Sequence, residues 1–190
     1  MADRVITGID VGTFQTKVAI ARVRKKDNVR KPEIIGTGVA ESRGLKNGYI
    51  INPADVTRSV KSAIAQAEHA AGVRVGSAHI AIGSIGLEEI YAHGEIIPAR
   101  ADSEVVASDL EKVLQDSEER IIDTIPNRKI LHAIPLSYAI DGEPVLGRAV
   151  GLKGTKLTVE SLFITTYEQH LQDIVQAIES IGVVVEDVMA

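Results

Sequence analysis

Hydrophobic and polar residues alternate along the start of the chain in a pattern that predicts three consecutive strands. Apolar side chains recur at every second position, which is typical of strands with one buried face. The three segments are Val5–Asp10, Lys17–Val23 and Glu33–Glu41. The dipeptide Gly12-Thr13 connects the first two segments, and the basic stretch Lys25-Lys26-Asp27-Asn28 is predicted to form the tip between the second and the third.

The spacing of apolar residues then changes to that of a helix. Asn52 can cap free backbone N–H groups and Pro53 suits the first helical turn, so we expect a helix to begin here. Gly72 is placed to end it, and residues 78–82 alternate as a fourth strand. The helical positions are apolar and mostly small, which favours close packing on a sheet. They are Val56, Val60, Ala63, Ile64, Ala67, Ala70 and Ala71.

The middle of the chain predicts a small α+β unit with the order strand, helix, strand, strand. The predicted strands cover residues 87–98, 129–141 and 155–165. Ser108-Asp109-Leu110-Glu111 has the spacing of a capping box, in which the Ser and Glu side chains each satisfy a backbone N–H. We therefore expect the helix of this unit to begin at Ser108.

The last segment predicts a second long helix and one more strand. Thr166 is expected to cap the helix, with Gln169 in the capping-box position and Gly182 ending it. Residues 183–188 then begin an apolar strand. Because a strand of this kind needs neighbours that cover it, we expect an α/β layer that stops at Ala190 to be unfinished. We interpret the chain as part of a longer protein.

Composition and charge narrow the function classes. The 190 residues are 45% hydrophobic and 25% charged, which is typical of a globular protein with one or two domains. The net charge of −5 argues against nucleic acid as a partner, and two Phe with no Trp offer little stacking surface for single strands. The absence of cysteine excludes disulfides and cysteine-ligated metals, and the five histidines form no i, i+4 ligand pair. The lack of a long apolar run or a signal peptide predicts a soluble, cytoplasmic protein.

The turn after the first strand carries the residues that suggest chemistry. Asp10 ends that strand, and a carboxylate there can hold hydrated Mg²⁺. Gly12 allows the backbone to approach a phosphate, Thr13 adds a hydroxyl donor, and Lys17 can place a cation against the same phosphate. These residues predict a phosphate grip built on a hairpin. Taken alone, the D-x-G-T pattern is a weak signal that favours an ordinary hairpin turn, because many hairpins contain it by chance.

The position of this turn within an order of three strands, a helix and a strand resembles the first half of the actin–Hsp70–sugar kinase ATPase fold. The first phosphate loop of that fold is a D-x-G-T hairpin. Within the superfamily the sequence is similar to the FtsA family of bacterial cell-division proteins, over essentially the whole chain. The similar stretches are GIDVGTFQTKVAI, SRGLKNGYIINPADVTRSVKSAIAQAE, AHIAIGS, ILHAIPLSYAIDGEPVLGRAVGLKGTKLTVESLFIT and IVQAIESIGVVVEDV.

The resemblance implies an α/β fold, namely an actin/Hsp70-like ATPase half-domain with an inserted small α+β subdomain. Residues 1–84 would form the first part of subdomain 1A, residues 85–165 the inserted subdomain 1C, and residues 166–190 the return to 1A. It also implies ATP with Mg²⁺ as the cofactor. Asp10, Gly12, Thr13 and Lys17 would contact the phosphates, and Asp10 would contact the metal through water. Because the family's second phosphate loop and second domain lie beyond the matched stretches, we expect no enzymatic ATP hydrolysis from this chain.

The resemblance further implies the role of a cytoskeletal adaptor. In the FtsA family the protein anchors FtsZ filaments to the cytoplasmic membrane and recruits later division proteins, which contact 1C. It also self-associates head to tail into actin-like filaments through 1C. An amphipathic helix at the far C-terminus attaches it to the membrane. The expected location is the cytoplasm, at the inner face of the cell membrane at the division septum.

Two other members of the same fold are alternatives. A PilM-like component of type IV pilus assembly also binds ATP, carries a comparable insertion and grips a short peptide from a membrane partner. The block of residues 131–165 is more similar to FtsA than to PilM. A sugar or acetate kinase relative would need substrate-binding acids and a complete second domain, which the sequence does not supply.

Overall fold

The protein is described here from a computed structural model, which covers residues 4–26, 29–83, 86–100 and 102–190. The predicted tip at Asp27-Asn28 lies outside the described residues. The chain divides into two compact units. The first consists of Met1–Leu87 with Glu168–Ala190, and the second of Glu88–Tyr167. The boundaries expected from the sequence, after residues 84 and 165, fall a few residues earlier.

The first unit contains most of the strands and two of the helices. In chain order its elements are β1 (Arg4–Val11), β2 (Gln15–Lys26), β3 (Val29–Glu41), β4 (Leu45–Lys46), β5 (Tyr49–Ile50), α1 (Pro53–Ala71) and β6 (Ser77–Ala81). The second unit then contributes β7 (Glu88–Ile96), α2 (Ala107–Ile122), β8 (Arg128–Ile140), β9 (Glu143–Pro144) and β10 (Leu157–Tyr167). The first unit resumes with α3 (Glu168–Glu179) and β11 (Val184–Met189). The three strands, helix and strand predicted for the N-terminal segment are confirmed.

The main sheet of the first unit has the strand order β11-β6-β1-β2-β3. β1, β2 and β3 are antiparallel, whereas β6 runs parallel to both β1 and β11. Alternation buries one face of these strands, including Ile9, Val18 and Ile80. The helices α1 and α3 contribute the rest of this core through buried residues such as Val60 and Ile174.

Helix α1 lies close to β3 because two glycines leave room for it. A Cβ added to Gly38 would collide with the carbonyl oxygen of Ala63, and one on Gly36 would lie 2.7 Å from the backbone nitrogen of Ala71. The predicted ends of α1 are confirmed. The Asn52 side chain accepts a hydrogen bond from the Asp55 N–H at 3.4 Å, and Gly72 adopts a φ of 67° at the C-terminus.

The second unit is an antiparallel sheet of order β7-β10-β8-β9 with α2 packed on one face. A Cβ on Gly94 would collide with the Val113 carbonyl oxygen, so glycine allows the helix to cross β7. Two groups of buried apolar residues fill the space between the helix and the sheet. One includes Val113 and Leu157, and the other includes Ile121 and Phe163.

The predicted helix starts in the second half of the chain are wrong. Helix α2 begins at Ala107, with Val106 at the N-cap position. The Asp109 carboxylate accepts a hydrogen bond from the Val106 N–H at 3.0 Å. Asp109 therefore takes the role that the sequence pattern assigned to Glu111. Thr166 does not cap α3, because it is a buried residue of β10, which continues to Tyr167. Pairing with β8 extends the strand past the point where local sequence favours a cap.

The two ends of the second unit lie side by side. Glu88 on β7 pairs with Thr165 on β10. The Arg128 side chain, buried to 6% exposure, lies 3.3 Å from the Glu88 carboxylate and donates to the Thr165 hydroxyl at 2.9 Å. Its guanidinium also covers the Tyr167 ring at 4.6 Å. Arg128 therefore joins the first strand of this unit to its last residues.

The final strand differs from the expectation of a buried apolar run. β11 pairs with β6, and it forms the edge of the sheet within the described residues. Val184 is 59% exposed and Met189 is 43% exposed. Apolar composition predicted a covered strand, but the position at the edge of the sheet leaves these side chains in solvent.

Candidate phosphate-binding turn

The turn between β1 and β2 places two opposite charges next to each other. Asp10 and Lys17 are directly paired residues of the antiparallel ladder, so their side chains lie on the same face. The Lys17 Nζ lies 3.7 Å from Asp10 Oδ2, and both side chains are about half exposed. A cation and a carboxylate are thus presented together to solvent at the end of the hairpin.

Gly12 follows directly after β1 and leaves no room for a side chain. A Cβ at this position would lie 2.9 Å from the Gln15 carbonyl oxygen, which is closer than Cβ atoms normally approach a backbone oxygen. Gly12 itself is partly exposed, so solvent reaches the backbone of the turn at this residue. This is the property that a backbone grip on a phosphate requires.

Thr13 is exposed at the tip and is held by a second hairpin. Its hydroxyl oxygen accepts a hydrogen bond from the buried Gly48 N–H at 2.9 Å. Gly48 belongs to the two-residue turn between β4 and β5, where Asn47 has a φ of 52° and Gly48 a φ of 85°. Positive φ at both positions is typical of a tight hairpin turn. Because a hydroxyl both accepts and donates, the Thr13 proton stays available for a ligand.

Two hydroxyl residues brace the turn, and the sequence analysis missed both. Thr16 is fully buried, and its Oγ1 shares a 3.0 Å hydrogen bond with Ser42 Oγ. The Ser42 N–H also donates to the Phe14 carbonyl at 3.0 Å. A signal was present in the pattern, because Thr16 is a polar residue on the inward face of β2 together with Val18 and Ile20.

The four predicted site residues therefore lie together in one hairpin, and the segment of residues 42–48 forms its neighbouring wall. This segment leads into α1, since the Gly44 carbonyl oxygen accepts hydrogen bonds from the N–H groups of Ile51 and Asn52. In the described part of the chain, no group of three or more acidic or histidine side chains could hold a metal by itself. Asp10 as a single carboxylate fits Mg²⁺ that arrives with a nucleotide and keeps most of its waters.

A buried histidine lies next to the hairpin formed by β4 and β5. His170, in the first turn of α3, is 4% exposed, and its ring centroid is 4.9 Å from that of Tyr49. Neither ring nitrogen has a hydrogen-bond partner among the described residues. Burial lowers the pKa of His170 below its ordinary value, and the nearby Asp173 carboxylate opposes this shift. His79 and His93 differ from it, since each lies within ion-pair distance of a glutamate, Glu186 and Glu160 respectively.

The helices carry no membrane-crossing segment within the described residues, since none is both long and apolar enough.

Comparisons with known proteins bear on both units. Residues 88–165 match the family model described as the SHS2 domain inserted in FtsA. The chain is 28% identical to the cell division protein FtsA of Pseudomonas aeruginosa over 98% of its own length and 43% of that relative. It is 29% identical to the Escherichia coli K12 protein of the same name over 98% of the chain and 43% of the relative. The chain thus spans less than half the length of these curated relatives.

A solved structure shows the fold over nearly the whole chain. The structure described as the PilM-PilN type IV pilus biogenesis complex covers 96% of the chain with a TM-score of 0.62 and 13% identity. At this identity the likeness establishes the actin-like ATPase fold and carries no function. The chain is thus similar to FtsA cell division proteins over almost all of its length, and its second unit matches the SHS2 domain that is inserted in them.

Proposed function

We propose that this chain is the nucleotide-binding and partner-binding part of an FtsA-type adaptor in cell division. In this role the complete protein binds ATP with Mg²⁺, anchors FtsZ filaments to the inner face of the cytoplasmic membrane at the septum, and recruits later division proteins. The observation that carries the proposal is similarity to FtsA proteins along almost all of the chain, including the inserted SHS2 domain.

The turn after β1 supports the nucleotide part of the proposal. In this proposal Lys17, whose ammonium group is half exposed, contacts a phosphate oxygen, and the exposed Thr13 donates its hydroxyl proton to the nucleotide. Asp10 would hold Mg²⁺ through water, and the metal would neutralise phosphate charge. Because one hairpin supplies only a fraction of the contacts to a nucleotide, binding by this chain is weak and hydrolysis is negligible.

The open face of the second unit supports the partner part of the proposal. Tyr91, Leu162 and Ile134 are paired across three neighbouring strands, on the face opposite the side that packs on α2. Tyr91 is 65% exposed and Ile134 is 41% exposed. A row of exposed apolar side chains on a sheet is the kind of surface that protein partners use. We assign to this unit both contacts with later division proteins and self-association into filaments.

The adaptor role is tested with a chimera of the Pseudomonas aeruginosa relative. Residues 1–190 replace the matching N-terminal region, and cell division is scored in a strain depleted of its own FtsA. We expect division to be restored by the chimera and lost when it carries Asp10→Ala. A chimera with Asp10→Ala that is produced in full and still restores division would contradict the nucleotide part. A stable chimera with the native sequence that leaves cells undivided would contradict the adaptor role.

A PilM-like role is the second candidate, since the fold likeness extends over 96% of the chain. A PilM-like protein would restore pilus assembly in place of the matching region of PilM and would not restore division. The same chimera design in a pilus-deficient strain separates the two.

A further inference from the structure

The hairpin formed by β4 and β5 touches the candidate phosphate turn with one residue and a buried histidine with the next. The Gly48 N–H donates to Thr13 Oγ1 at 2.9 Å, and the adjacent Tyr49 packs its ring against His170. Gly48 is buried and Tyr49 is half-buried, so neither contact can be replaced freely by water. Thr13 and His170 belong to distant parts of the sequence, and this hairpin links them within the first unit.

The hairpin has the construction of a stiff element. Its strands are joined by a two-residue turn with positive φ at both positions, and Leu45 pairs with Ile50 at its base. Below the base, the Gly44 carbonyl oxygen accepts the N–H groups of Ile51 and Asn52 at 2.8 and 3.1 Å. A Cβ on Gly44 would lie 2.9 Å from Asp55 Cβ, so the base is packed against the start of α1. A displacement at Gly48 therefore moves Tyr49 as well, because so short a turn cannot absorb it.

We propose that this hairpin couples the occupancy of the Thr13 turn to the contact between Tyr49 and His170. The proposal rests on the nucleotide site proposed above and adds a regulatory connection to it. When the Thr13 hydroxyl donates to a phosphate oxygen, its oxygen becomes a better acceptor for Gly48, since hydrogen bonds in a chain strengthen one another. The hairpin is then drawn towards the turn, and Tyr49 changes its packing on the His170 ring. By linkage, protonation of His170 then changes phosphate affinity by the same factor by which bound phosphate changes the proton affinity of His170.

His170 is suited to report such a change. Both ring nitrogens lack partners among the described residues, so the ring is held by packing alone. Among the described residues, the titratable groups near the His170 ring are Tyr49 on β5 and Asp173 on α3. A small movement of Tyr49 admits water to the ring, and hydration moves its titration midpoint up towards the ordinary histidine value of about 6.5.

The test uses the whole chain labelled with ¹³C and ¹⁵N in histidine, and needs no nucleotide in its first stage. Thr13→Val removes the acceptor for Gly48 while keeping the shape of the side chain. We expect the His170 ring signals to shift and their titration midpoint to rise, while His69, His79, His93 and His132 stay unchanged. Thr37→Val, an exposed change on β3, is the matched control, and Tyr49→Leu shows the full size of the effect. Identical His170 signals in Thr13→Val and the unchanged chain would overturn the coupling.

The second stage adds MgATP in millimolar amounts to the unchanged chain and to Thr13→Val. We expect the His170 signals to move in the unchanged chain alone. If Thr13→Val shifts His170 and MgATP leaves every turn residue unaffected, the coupling stands and the nucleotide assignment fails. If MgATP shifts the amide signals of Gly12 and Thr13 and leaves His170 still, the nucleotide site stands and the coupling fails.

Discussion

Lys17 and Asp10 face each other across the first hairpin, with 3.7 Å between the lysine Nζ and the carboxylate Oδ2. An ion pair between two half-exposed side chains contributes little to folding stability. The pair is therefore more informative about binding than about stability. The Lys17 cation is complementary to a phosphate, and the Asp10 carboxylate is complementary to a magnesium ion bound to that phosphate. Both lie near Gly12 at the end of the hairpin.

The first prediction concerns that pair. Lys17→Ala is expected to weaken MgATP binding by about 1–3 kcal/mol, the contribution of a hydrogen bond to a charged group. The measurement is an NMR titration that follows the Gly12 and Thr13 amide signals. Lys61→Ala, an exposed change on α1, is the control and should leave the titration unchanged. Equal affinity in Lys17→Ala and the unchanged chain would remove Lys17 from the site.

Gly38 is expected to be essential for the close approach of α1. Gly38→Ala forces a methyl group into the backbone of α1, within 2.8 Å of the Ala67 nitrogen. We expect a loss of about 3 kcal/mol in the free energy of unfolding, at the upper end of overpacking costs. Gly8→Ala is the control on the same sheet, because a Cβ there meets nothing within 4 Å. Urea unfolding, followed by signals from the first unit, compares the two variants. Equal losses would show that α1 can move away from β3.

Arg128 is expected to hold the ends of the second unit together. Arg128→Met keeps the length of the side chain but removes the donors to Thr165 and the charge near Glu88. The expected loss is about 1.5–3 kcal/mol in the stability of this unit, the scale of a charged hydrogen bond. Arg148→Met, at an exposed position of the same unit, provides the comparison. Thermal unfolding with unchanged midpoints in both variants would contradict this role.

His170 is expected to make the first unit less stable in mild acid. Its pKa is lowered in the folded protein by burial, so the unfolded chain binds the proton more readily. The free energy of unfolding is therefore highest above pH values of about 6.5 and falls as the pH decreases towards the folded pKa, below which the loss is complete. His170→Phe should remove this dependence, and His69→Gln at an exposed position should retain it. A dependence that persists in His170→Phe would assign it to another group.

Hydrogen exchange is expected to rank the two units. β11 is paired with β6 at the edge of the sheet within the described residues, and its Val184 and Met189 side chains are exposed. Edge elements with few buried contacts open at low free energy. We therefore expect faster amide exchange in the first unit, beginning at β11, than in residues 88–167. Strong protection of residues 4–83 with rapid exchange throughout the second unit would refute this order.

The sequence by itself determined the local structure wherever a short-range signal dominates. Alternation placed the strands of the first sheet, and Asn52 and Gly72 fixed the ends of α1, because a cap depends only on residues within one turn. The site residues Asp10, Gly12, Thr13 and Lys17 were brought into one hairpin by the same local alternation, since a tight turn sets the pairing of the strands it joins.

Only the tertiary structure decided the features that depend on distant residues. Pairing with β8 kept Thr166 in a strand, although its own neighbours favour a helix cap. Three contacts near the site join segments that are far apart in the sequence, and the local pattern of apolar residues does not predict such contacts. They are the hydrogen bond from Gly48 to Thr13, the hydrogen bond between Thr16 and Ser42, and the packing of Tyr49 on His170. Burial of a polar group is set by the elements that surround it, and the identity of those elements follows from the complete fold.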